Sequence, residues 1–166
     1  LNTFLGVAFL MTLMGCGPEE STLDQRNKDR RSRNEKMEQS LKPFVGIYEG
    51  ELISPDKVVL NVRLNITIYT YVEEGREAGE ENSTPKLQSY LAEYKTENPR
   101  DELPLGLYFE SSYDTEKSQL ILFNKGEKSF SLRVTFTPDT ENSPATLVGT
   151  YVTTRINQIR LTRVQE

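Results

Sequence analysis

The sequence predicts an all-β fold of about eight antiparallel strands, closed as an up-and-down barrel or stacked as a two-sheet sandwich, over residues 44–166. Three observations carry this reading. Long stretches alternate apolar and polar residues with period two, which sends successive side chains to opposite faces of a strand. Turn-forming residues recur between those stretches at short intervals. Helical periodicity inside the domain is weak, and a run of short strands that must bury one face and hide its edges closes or stacks.

The first strand is expected over 45–53, where Gly46 and Gly50 mark a bulge or a close backbone approach. Ser54-Pro55-Asp56-Lys57 follows, with proline at the second position of a type I turn. The clearest strand runs over 58–72. There Val58, Leu60, Val62, Leu64, Ile66 and Ile68 share one parity, and Asn61, Arg63, Asn65, Thr67, Tyr69 and Tyr71 share the other. At ~3.3 Å per residue it spans about 50 Å, so it is expected to bend or bulge and serve both sides of a core. Glu73-Glu74-Gly75 and Asn82-Ser83-Thr84-Pro85 read as turns before a strand at 87–95, whose Leu87, Tyr90, Leu91 and Tyr94 also allow a short helix. Asn98-Pro99-Arg100 precedes strands at 105–113 and 118–124. Asn124-Lys125-Gly126-Glu127 offers glycine where a hairpin loop needs positive φ, ahead of a strand at 129–137 with Phe130, Leu132, Val134 and Phe136 inward. Turn residues from Pro138 to Pro144 lead to the last two strands, at 145–153 and 157–164.

Composition removes most familiar chemistry. The 166 residues include no histidine, no tryptophan and a single cysteine, Cys16. His-based triads, Cys-His dyads, His-ligated zinc and intramolecular disulfides are thereby excluded. Residues 44–166 carry 13 basic against 19 acidic groups, a balance that does not seek nucleic acid. Neither GxxxxGK[ST] nor GxGxxG occurs, so no phosphate loop is expected.

Ahead of the domain, residues 17–43 hold seven basic and six acidic groups and only three sizeable apolar ones, Leu23, Met37 and Leu41. That is too few for a helix to bury a face, and residues 16–43 read as a charged linker. Ser21 ahead of Asp24, and the pairs Asp24–Lys28 and Asp29–Arg33, worth about 0.2–0.5 kcal/mol each, support a partial helix over 23–41 that ends before Pro43. As coil or as helix the linker reaches about 28 Å. Arg30-Arg31-Ser32-Arg33 is alternatively a grip for anionic headgroups, weakened by the acids interleaved with it.

Residues 1–15 are uncharged, and the apolar run from Phe4 to Met11 fits the ~7–15 residues of a signal-peptide core and not the ~20 of a membrane span. The run opens on Leu1 with no basic residue before it, so a truncated or alternatively started leader is expected. Leu13-Met14-Gly15-Cys16 resembles the lipobox of bacterial lipoproteins, with an aliphatic residue at −3 and a small one at −1 before the cysteine. The resemblance implies removal of residues 1–15, a diacylglyceryl group on the Cys16 sulfur and an acyl chain such as palmitate on its new amino terminus. Two or three acyl chains hold a protein to a membrane stably. Gly17 at the second mature position implies, in a two-membrane envelope, sorting to the outer membrane. No cofactor is expected beyond this covalent lipid.

Four residues form the candidate binding face: Tyr69, Tyr71, Thr67 and Asn65, on the polar parity of the long strand, where aromatic area and amide groups can stack and hydrogen-bond a glycan or a peptide. Cross-strand tyrosine pairs that merely stabilise an exposed sheet are the competing reading. Glu49, Glu51 and Glu110 are the carboxylates a hydrolase would use, with nothing to single out a pair. Residues 73–81 gather five glutamates around Arg76 without the alternating spacing of a calcium loop, so a solvated hairpin tip is expected there and no metal site. Arg133, Arg155, Arg160 and Arg163 suggest a basic strip, some of it balancing neighbouring glutamates.

Phe44-Val45-Gly46-Ile47-Tyr48-Glu49-Gly50, together with Gly149-Thr150-Tyr151 and Ile159-Arg160-Leu161, resemble the first and last strands of small calycin-type barrels. That resemblance implies an interior, lined by Leu60, Leu64, Phe130 and Phe136, that carries a small hydrophobic ligand. The expected function is a membrane-anchored, non-catalytic binding or structural module for an envelope protein or glycan. A hydrophobic-ligand carrier is the alternative, and a carboxylate hydrolase the third reading.

Overall fold

A computed structural model describes residues 22–73, 81–93, 107–114, 118–124 and 130–164, with the backbone alone for 107–114. Within them the chain forms one α-helix, α1 (Thr22–Leu41), a 3-10 turn (Lys42–Phe44) and eight strands. These are β1 (Gly46–Ile53), β2 (Val59–Val72), β3 (Ser83–Glu93), β4 (Leu107–Asp114), β5 (Gln119–Phe123), β6 (Ser131–Thr137), β7 (Thr146–Val152) and β8 (Ile156–Arg163). Each strand pairs antiparallel with the next in sequence, and β8 returns to pair with β1. The sheet is therefore a closed up-and-down barrel, one of the two arrangements the alternation allowed.

Period two decides what the barrel encloses. Leu60, Val62, Leu64 and Ile66 of β2 are buried while Val59, Asn61, Arg63, Asn65 and Thr67 are exposed, as the parity requires. Tyr48, Leu52, Leu87, Leu91, Leu120, Leu122, Leu132, Val134, Leu147, Tyr151, Ile159 and Leu161 complete the core from six other strands. Eight strands make an interior just wide enough for side chains to fill or for one small ligand. Most of these residues have zero solvent exposure. Two inward glycines let the sheet coil this tightly. A Cβ on Gly50 would fall on the Arg160 carbonyl oxygen, and one on Gly149 on that of Arg133.

The connection after β1 has the expected turn chemistry. Lys57 donates its N–H to the Ser54 carbonyl at 2.9 Å across Pro55, and Lys57 itself takes φ +62° to close the loop. β3 departs from expectation by starting at Ser83, so the Asn82-Ser83-Thr84-Pro85 segment is largely strand and not turn. Pro85 is paired with Thr70, yet β4 covers only Gln88–Leu91 of β3, which leaves Pro85 on an edge where a missing N–H costs the sheet nothing. Within the segment expected at 87–95, residues 87–93 are strand and not helix, with Leu87, Ser89 and Leu91 inward, and the last two lie outside the described residues. The expected turns at 98–100 and 125–127 lie outside the described residues.

One end of the barrel is plugged by the chain that enters it. Phe44 packs its ring 4.6 Å from that of Phe136, and Leu41 and Val45 pack against the same core. The Tyr48 hydroxyl donates to the Phe44 carbonyl at 3.0 Å. Arg163 continues the inward parity of Ile159 and Leu161. Its Nη2 donates to the Tyr48 hydroxyl at 2.6 Å and to the Pro43 carbonyl, and its Nη1 pairs with Asp139. Burial pushes the Tyr48 phenol above its usual range, against the lowering effect of Arg163.

α1 matches the helix expected over 23–41 and ends at the residue before Lys42 and Pro43. None of its residues is fully buried, as its composition predicts. The helix nevertheless docks, through polar side chains, on the start of β3. No helix among the described residues is long and apolar enough to cross a membrane.

Candidate binding face

The four residues singled out from the sequence lie together on the outer surface of β2. Asn65 and Thr67 are exposed, and Tyr69 and Tyr71 half-buried. Register with β3 places Tyr90 opposite Asn65, Gln88 opposite Thr67, Lys86 opposite Tyr69 and Thr84 opposite Tyr71. The face is therefore two strands wide. It carries three tyrosines, two carboxamides, two threonines and one lysine in an outward ladder.

Local contacts stiffen this surface. Lys86 Nζ sits 4.1 Å from the centre of the Tyr71 ring, a cation–π contact worth about 0.5–1 kcal/mol at an exposed site. The Thr67 hydroxyl lies 3.5 Å from the Gln88 carbonyl oxygen. At the far end Arg63 clamps Glu49, its Nε at 2.8 Å from Oε1, and closes the ladder with a cross-strand ion pair. Tyr90 and Lys86 are members that sequence reasoning missed. The signal was present: Lys86, Gln88 and Tyr90 alternate with Leu87, Ser89 and Leu91.

The other candidates are dispersed. Glu49 is held by Arg63, and Glu51 lies across from Arg160 on the outside of β1 and β8. The side chain of Glu110 lies outside the described residues. Of the five glutamates over 73–81, residues 74–80 lie outside the description as well. Glu81 faces α1, where Arg31, first through its hydrogen bond, holds the carboxyl below the usual range. Among the described residues no group of three or more Cys, Asp or Glu side chains gathers to hold a metal ion.

The four arginines do not form a strip. Arg163 belongs to the barrel interior, Arg155 in the last turn pairs with Asp56, and Arg160 lies on the outside of β8. Arg155 and Arg163 balance aspartates, Asp56 and Asp139, and not the glutamates expected. In the basic run of α1, Arg30 and Arg31 both bind Glu81 and so are turned toward β3. The lipobox, with Cys16, lies outside the described residues.

No protein-family model, curated protein or solved structure matches the chain.

Proposed function

We propose that the chain is a lipid-anchored envelope protein whose β-barrel works as a non-catalytic binding module, offering the outer β2–β3 face to a glycan or an envelope protein. The observation that carries the reading is the ladder of Tyr69, Tyr71 and Tyr90 among Asn65, Thr67, Lys86 and Gln88 on a rigid, closed sheet. Tyrosine joins apolar area to a polar tip, and amide and hydroxyl neighbours supply donors and acceptors around it. Rigid support keeps the entropic cost of ordering such a surface low. Anchorage rests on the lipobox-like Leu13-Met14-Gly15-Cys16, and an outer-membrane location on Gly17.

Less supports a hydrophobic-ligand carrier, because Leu64, Leu91, Leu132 and Leu161 of the barrel interior are fully buried. Less again supports a hydrolase, since Glu49 is tied to Arg63.

Two experiments test the reading. A fatty-acid analogue fed to cells is expected to label the chain and to miss Cys16→Ala; equal labelling of both removes the anchor. A photo-crosslinking residue in place of Tyr69 is expected to form adducts in native envelopes that Tyr71→Ala and Tyr90→Ala weaken. Equal adducts from Arg133, on a different face, remove the binding face.

A further inference from the structure

The free edge of β3 has an unusual occupant. Which of its backbone groups point outward follows from the ladder with β2. Glu73 donates its N–H to the Asn82 carbonyl at 2.8 Å, and bonded and non-bonded pairs alternate along antiparallel strands. Asn82, Thr84 and Lys86 therefore bond toward β2, while Glu81, Ser83 and Pro85 turn their backbone groups away from it. β4 covers only Gln88–Leu91, so those outward groups lie beyond its reach. Buried or half-buried backbone groups need partners, and a bare strand edge invites another chain.

One face of α1 supplies the partners. Asn27 Oδ1 accepts from the Glu81 N–H at 3.0 Å, Arg30 Nη1 donates to the Glu81 carbonyl at 2.5 Å, and Asn34 Nδ2 donates to the Ser83 carbonyl at 2.6 Å. Pro85, next along the edge, has no N–H to satisfy. Arg31 then grips the Glu81 carboxylate with two nitrogens, Nε to Oε2 at 2.7 Å and Nη2 to Oε1. Residues 27, 30, 31 and 34 fall on one helical face by their three- and four-residue spacing. Their contacts run in order along β3, so helix and strand lie side by side in the same direction until Leu41 meets the core.

We infer that α1 is a strap: it docks by reading the backbone of the β3 edge, is locked by Arg31 on Glu81, and can leave that edge without unfolding the barrel. Little that is apolar resists its departure: no residue of α1 is fully buried, and only Leu41, its last, packs against the core, where it can stay as the hinge. The lock itself is solvated, with Arg31 64% and Glu81 37% exposed, and such pairs are weakened by salt. While docked, the strap holds Thr22 in one place against the barrel. Released, it frees Thr22 and uncovers the edge at residues 81–83.

Amide hydrogen exchange on the full chain tests this, because helices in proteins draw most of their stability from tertiary packing, and one that loses it exchanges fast. Glu81→Lys sets a third cation against Arg30 and Arg31. It is expected to speed exchange across α1 by about tenfold or more and to leave β5 to β8 unchanged. Restoring the pair in reverse, Arg31→Glu with Glu81→Arg, is expected to recover most of the protection. Unchanged exchange in α1 overturns the inference, and so does equal acceleration in β5 to β8, which would make the contact part of the barrel's own stability. Should Glu81→Lys not fold, Asn34→Ala provides the same readout: faster exchange confined to α1 supports the strap, and none overturns it.

Discussion

Arg163 and Arg31 each bring a guanidinium to a carboxylate, in opposite surroundings. Arg163 is 18% exposed, lies on the inward parity of β8, and is tied to the Tyr48 hydroxyl and the Pro43 carbonyl as well as to Asp139. Arg31 is 64% exposed and, among the described residues, holds one partner, Glu81, on the outside of the molecule. A charge withdrawn from water among fixed acceptors becomes costly once a partner is removed, whereas a solvated pair contributes little to stability. The barrel end is thus knit into the fold, and the helix rides on it. Dependence runs one way: α1 needs the barrel, and the barrel does not need α1.

The strongest attempt to break that asymmetry is Gly149→Val. Its side chain would collide with the backbone of β6, and the expected result is loss of the whole barrel, by more than about 4 kcal/mol, with the α1 signal lost alongside. Circular dichroism that retains helix without strand would reverse the dependence. Next in size is Arg163→Ala, expected to lower unfolding stability by about 2–3 kcal/mol in a denaturant titration. Glu81→Gln in the same titration should leave the midpoint unmoved.

Alkaline pH separates the two regions further. Burial raises the Tyr48 phenol above the usual value near 10, against the hydrogen bond and charge of Arg163, and burial also raises Tyr151. The fold therefore favours the neutral phenols. Their contribution is fully present below about pH 10 and is lost as pH rises toward the raised values. Tyrosinate absorbance should show two tyrosines that ionise only together with unfolding. The smallest effect is at the acid side and concerns α1 alone. Glu81 is faced by Arg31 and Arg30 from the helix, and Arg31 lowers its pKa. The docked state thus binds fewer protons, so docking is complete above the usual glutamate value of about 4.3 and weakens as pH falls through the lowered one. Exchange in α1 should quicken on acidification before that of the strands does.

Strict alternation made β2 and β6 legible from sequence alone, because each buries one face and exposes the other to water. That Asn65, Thr67, Tyr69 and Tyr71 share one outward face followed from the same parity. Its other half did not, since pairing Lys86 and Tyr90 with them requires a register that two separate strands reveal only once they meet. Arg163 was illegible for a different reason. Its charge suggested the outside, while its parity with Asn157, Ile159 and Leu161 pointed inward, and parity won because Tyr48, Pro43 and Asp139 take its two terminal nitrogens there. The docking of α1 left no trace in hydropathy. It is made by amide and guanidinium groups on backbone atoms, which every residue possesses.

The order of the strands around the barrel carries a kinetic consequence. Seven of the eight pairings join neighbours in sequence, and hairpins of that kind close small loops at low entropic cost. The eighth brings Tyr48 to Arg163, 115 residues away, and its gain comes only after a far larger loop has been closed. Folding is expected to zip from hairpin to hairpin and to seal the β1–β8 seam late. Contacts made late govern how fast a protein opens more than how fast it forms. Gly50, which lets β1 approach β8 closely, and Arg163, which fastens the seam's end, would then set the lifetime of the closed barrel.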